Sequence, residues 1–151
     1  MVRRQRIMST LAAGRRAAEA LMCDTCTIRR PTGRIIVDPD TGVATPQYEP
    51  VYHGRCRVQT AGGVASQVVS ASGDSTNVGG NVPVWSLYLH LPADVTGVRS
   101  GDLATIEHSI DPDLTGRRLR LVNLQSEKTY ATARRWNVSE MPAAAGGEDH
   151  E

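Results

Sequence analysis

The 151-residue chain contains no phenylalanine, and only two tryptophans and four tyrosines. Val, Leu, Ile and Ala must therefore fill the core, and contacts with neighbouring subunits are expected to add stability. Lysine is almost missing too: of 17 basic residues, Lys128 is the one that is not arginine. No apolar run approaches the ~18 residues needed to cross a bilayer. The basic start is followed by a stretch broken at Arg15 and Arg16, which denies it the apolar centre of a signal peptide. A protein that is not secreted and does not enter membranes is expected. Cysteine is scarce and odd in number, at three, which fits a reducing compartment better than a disulfide framework.

Signatures of common chemistries are also missing. No G-x-S-x-G, H-E-x-x-H or P-loop pattern occurs. His53, His90, His108 and His150 are scattered singly. His90 and His108 could meet across strands, whereas Glu107 and His108, as strand neighbours, point to opposite faces. No catalytic constellation is legible, so no enzyme and no cofactor is expected.

What is present is organised by charge and by turns. Residues 1–30 hold seven arginines (Arg3, Arg4, Arg6, Arg15, Arg16, Arg29 and Arg30) against Glu19 and Asp24. The chain ends in Glu148-Asp149-His150-Glu151. A basic arm, a near-neutral body and an acidic tail point to a charged partner at one end. From Val2 to Met22 the spacing is helical, with Ile7, Leu11, Ala18, Leu21 and Met22 near one stripe. Arg3, Arg4, Arg6, Arg15 and Arg16 are candidate contacts to a partner surface or to phosphates. No aromatics interleave with them, so reading of bases by stacking is not expected.

After Asp24 short strands dominate. Candidates are 25–30, 33–38 after a Pro31-Thr32-Gly33 break, 50–60 bent at Gly54, 82–92, 101–109, 117–127 and 129–141. The 82–92 stretch alternates most clearly, with Trp85, Leu87, Leu89 and Leu91 on one face against Val84, Ser86, Tyr88 and His90. Asp38-Pro-Asp40-Thr-Gly42 and Asp111-Pro-Asp113 read as β-turns; the first falls short of a calcium loop, which needs further oxygen ligands. Residues 61–81 are rich in Gly, Ser and Asn and form an unusually long loop. The expected fold is mainly β: a small barrel or sandwich over 24–141, an N-terminal helical arm over 1–23 and a flexible acidic tail over 142–151.

Cys23, Cys26, His53 and Cys56 can be written as a Cys₃His zinc set. Cys26 alternates with Ile28, however, and Cys56 with Val58, as core residues do. Burial as small apolar side chains is the expected state, with no metal.

The segments "ALMCDTCTIRRPTG", "DPDTG", "PVYHGRCRVQ", "YLHLPADVTGVRSGDLATIEHSIDPDLTGRRLRLV" and "ATARRWNVSE" together resemble the head-closure, or stopper, head–tail connector proteins of long-tailed bacteriophages. The resemblance covers roughly residues 18–140. It implies a β-barrel subunit of a homo-oligomeric ring, six or twelve copies, in the virion neck below the portal and adaptor and assembled in the host cytoplasm. Portal or adaptor proteins, tail terminator or tail tube proteins, and packaged DNA held non-specifically would be its partners. On this reading Gly62, Gly63, Gln67, Ser72, Asp74, Asn77 and Gly79 are candidates for a channel or inter-subunit loop. The alternatives are a tail terminator or other neck or tail ring protein, and a small nucleic-acid-binding β-barrel.

Overall fold

A computed structural model describes residues 1–63 and 84–142, with the backbone alone at 61–63, 84 and 85. The side chain of Trp85 and the candidate loop residues Gln67, Ser72, Asp74, Asn77 and Gly79 lie outside what is described, as does the tail from 143 onward.

One helix, α1 (Val2–Ala20), precedes six strands: β1 (Asp24–Val37), β2 (Ala44–Gly63), β3 (Val84–Pro92), β4 (Leu103–His108), β5 (Arg118–Leu124) and β6 (Ala133–Met141). All neighbours are antiparallel, and the order β1-β2-β3-β6-β5-β4 closes on itself through the β4–β1 pairing. The fold is therefore the expected mainly β barrel with a helical arm. Closure removes the unpaired sheet edges that would otherwise invite association.

Period-two alternation sets the interior. Cys26 and Ile28, Leu89 and Leu91, Ala104 and Ile106, and Leu119 and Leu121 are each fully buried, two residues apart on one strand. Cys56 and Trp136 complete this cluster, with Leu87, Val58 and Val138 packed against it. The 82–92 alternation thus holds for Leu87, Leu89 and Leu91, which face the core.

Three expectations are corrected. The Pro31-Thr32-Gly33 break does not divide two strands: β1 runs through it with a register shift between Pro31 and Ile35, and Gly33 takes a positive φ of 75°. Residues 61–63 belong to β2, paired with 84–86, so Gly62 and Gly63 sit in a strand and not in a loop. Of the expected helical stripe, Leu11 is the buried member within α1, while Ile7 and Leu21 are exposed.

Both ends of the barrel are tied by carboxylates. At one end Asp24 is buried; its Oδ1 accepts from Ser109 Oγ at 2.7 Å and its Oδ2 from the Val58 amide at 3.4 Å. At the other, Asp102 is 1% exposed. It accepts from Arg30 Nε at 2.8 Å, Arg30 Nη2 at 2.9 Å and the Arg99 amide at 2.8 Å. Arg30 Nη2 also donates to the Gly97 carbonyl at 2.7 Å. The forked guanidinium matches the carboxylate, and with Gly97 and Gly101 at positive φ it folds the 93–102 segment back on the barrel. The Asp102 hydrogen bond raises the Arg30 pKa above its ordinary value.

Candidate assembly surfaces

The arginine-rich arm sits on the outside of the barrel. α1 packs on β3 and β6. Gly14 permits the approach: a Cβ there would lie 2.9 Å from Thr132 Cγ2. Arg15 Nε donates to the Ala131 carbonyl at 3.1 Å. Arg15, half-buried, therefore helps to seat the helix on the barrel. Arg3, Arg4, Arg6 and Arg16 are exposed, and every residue from 1 to 10 faces solvent. No described helix is long and apolar enough to cross a membrane.

Strand alternation misses one burial. His90 points away from the core on β3, yet it is 6% exposed. Its cross-strand partners are Arg57 on β2 and Arg135 on β6. Burial, and then these two guanidinium groups, push the imidazole down to about 4. His90 is therefore neutral at pH 7. His108 is exposed on β4, which does not border β3, so the two histidines do not meet.

A second projecting element is built from β1 and β2. β1 pairs with β4 only from Thr25 to Arg29. Beyond that it pairs with β2 alone, from Arg30 with Glu49 to Val37 with Ala44. The result is a two-stranded ribbon extending past the barrel wall. Its turn is set by Asp38, whose Oδ1 accepts from the Asp40 amide at 2.8 Å and the Thr41 amide at 3.3 Å. These backbone bonds hold the Asp38 carboxyl below its ordinary range. The Asp111 carboxylate similarly accepts from the Asp113 amide at 3.0 Å. Both Asp-Pro-Asp motifs thus spend a carboxylate on shaping a turn.

The four residues of the possible zinc set are dispersed. Cys26 and Cys56 are fully buried in the core. Their mutual hydrogen bond, then burial, push the Cys56 thiol up, so it stays protonated. His53, three positions from Cys56 on β2, lies on the opposite face and is exposed. Cys23 is exposed, with its thiol 3.6 Å from the Ala20 carbonyl. Among the described residues no three metal-binding side chains converge. Tyr52 is pushed up to about 12, chiefly by burial, and donates to the Arg55 carbonyl at 2.8 Å.

A cleft of about 290 Å³ opens under the 126–131 segment, lined by Leu124, Ser126, Glu127, Lys128, Thr129 and Arg134 among others. It carries no histidine or cysteine. Arg117 forks onto Glu140 with two bonds of 2.6 Å, bracing β6 beside the second Asp-Pro-Asp turn.

A model of the family of unknown function DUF6093 matches residues 14–139. The chain belongs to this family. The matched stretch takes in β1 to β5 and most of β6, together with the part of α1 that seats on the barrel. No curated protein matches the chain. Among solved structures, protein SF1141 from Shigella flexneri 2a, determined in solution, is similar at a TM-score of 0.48 and 14% identity. That similarity covers 80% of this chain and 93% of the other. At that level it carries no argument about function.

Sequence alone did not find the ribbon. Its signal was present in Ile35-Ile36-Val37 and Val43 on either side of a turn. A short apolar run reads as buried strand, and nothing local says that no neighbour covers it.

Proposed function

We propose that the chain is a structural ring subunit of a long-tailed phage neck, a head-closure or stopper connector. One observation carries the reading: a closed barrel with two elements, the arm and the ribbon, that leave it with uncovered apolar side chains. A stiff body with projecting arms suits a subunit whose work is contact with copies of itself and with adjoining rings. Contacts repeated around an axis sum to strong attachment. Support also comes from the resemblance of "LPADVTGVRSGD" and "DPDLTGRRLRLV" to such connectors. In this chain these segments fold around Asp102 and Asp111 as structural turns. The ring would help to retain packaged DNA and offer the tail its platform, with no bond made or broken. Exposed Arg3, Arg4 and Arg6 favour a second reading, a small nucleic-acid-binding barrel.

Negative-stain microscopy of the purified protein, alone and with a portal ring, tests the proposal. Closed rings of fixed copy number, six or twelve, are expected in at least one condition. Monomers in both would refute it. Tight DNA binding that weakens steeply with salt, in the absence of rings, would favour the second reading.

A further inference from the structure

Two uncovered apolar surfaces stand on each copy, and they differ in sign. The first is the leading half of α1. Val2, Ile7 and Met8 are 63%, 40% and 50% exposed there, interleaved with Arg3, Arg4 and Arg6. Residues 1–10 contain no acidic side chain. The second is the end of the β1–β2 ribbon. Ile35, Ile36, Val37 and Val43 are 65%, 53%, 57% and 59% exposed around Asp38 and Asp40. Residues 35–45 contain no basic side chain. Exposed apolar side chains gathered at one end of an element and rimmed by charge are what a docking surface offers.

The two surfaces arise from different walls of the barrel. The ribbon continues β1 and β2, whereas the helix lies over β3 and β6, two positions further round. Surfaces that differ from each other and match in charge make head-to-tail contacts, which close into rings when the rotation allows. Opposite charges around an apolar centre fix orientation and exclude like-with-like pairing.

We propose that the ribbon end of one copy, Ile35–Val43, seats on the Val2–Thr10 half of α1 of the next copy, apolar against apolar with Asp38 and Asp40 facing Arg3, Arg4 and Arg6. The proposal rests on the ring reading above and names the contact that joins the copies. The first turn of α1 has no acidic residue to complement its helix dipole. A neighbour's carboxylates supply the missing charge there.

The test uses two charge-reversed forms of the full chain. The ribbon form carries Asp40→Lys and Thr45→Lys, leaving Asp38 to shape the turn. The arm form carries Arg3→Glu, Arg4→Glu and Arg6→Glu, acids that a helix start accepts well. Assembly of each, alone and on a portal ring, is followed by mass photometry and microscopy. Circular dichroism and melting confirm that both fold. Each form by itself should associate about tenfold or more weakly than the unaltered chain. Mixed one to one, they should regain assembly, because each then meets a neighbour of opposite sign. If both forms assemble as the unaltered chain does, the contact is wrong and the ring reading stands. If the unaltered chain stays monomeric alone and on the portal, both fall. If the arm form loses DNA binding but not assembly, the partner assigned to the arm is overturned in favour of phosphate.

Discussion

Replacing Cys26 and Cys56 in turn separates a packed core from a metal clamp. Both side chains are fully buried, both thiols are free, and Cys26 and burial together keep the Cys56 thiol protonated. Removing one sulfur by Cys56→Ala loses the burial of a group about the size of a methylene, roughly 0.8 kcal/mol. The unfilled space adds a cavity cost, for a total of about 1–2 kcal/mol. Cys56→Ser keeps the volume but buries a hydroxyl beside the weak acceptor Cys26, at about 1–3 kcal/mol for the poorly paired polar group. Serine should therefore be at least as harmful as alanine. For a domain of this size each kcal/mol lowers the melting temperature by about 3 °C. Urea and thermal melts of the two variants, with and without a chelator, measure this. Thiol titration of the folded chain should find one fast-reacting group, the exposed Cys23, and two more only after denaturation. Equal collapse of both variants, a large loss on chelation of the unaltered protein and one bound zinc per chain would overturn the core assignment.

Three further outcomes follow from the same geometry. His90 is pushed down to about 4 in the fold, against about 6.5 when unfolded, so the unfolded chain takes up the proton first. Stability should be full above pH ~6.5 and fall as pH drops toward 4, by on the order of 2–3 kcal/mol; His90→Leu should flatten that slope in pH-dependent melts. Asp102→Ala removes the buried carboxylate that gathers Arg30, Arg99 and the 93–102 segment, and should cost about 3 kcal/mol in denaturant melts. Faster hydrogen exchange in 97–102 should accompany that loss; unchanged exchange would refute the tie. Gly14→Leu should lift α1 from Thr132 while the barrel stays folded, read as faster tryptic cleavage at Arg15 and Arg16 with little change in the barrel's melting.

The barrel was legible because its inward residues recur every second position, as Leu87, Leu89 and Leu91 or Cys26 and Ile28 do. The turns were legible from Asp-Pro-Asp and Gly. Three matters were not, and each turns on long-range packing. The Pro31-Thr32-Gly33 break looked final, but β2 pairs across it and carries β1 onward. Alternation places His90 on the face opposite Leu89 and Leu91, yet it is buried between Arg57 of β2 and Arg135 of β6, which lie more than 30 residues away on either side in the chain. Arg15 looked like its exposed neighbours until its bond to the Ala131 carbonyl placed it in the seat of the helix. For the candidate surfaces, the basic charge of the arm was visible and the ribbon's lack of cover was not.

Closure of the barrel has a kinetic consequence. The seam between β3 and β6 joins Leu87 to Val138, and that between β1 and β4 joins Thr25 to His108. Neither seam can zip until most of the polypeptide has left the ribosome. Folding dominated by such distant pairings runs in milliseconds to seconds. During that interval the nascent β1–β2 hairpin is already complete and has nothing to lean on. Chaperones that bind exposed apolar strands would meet it then.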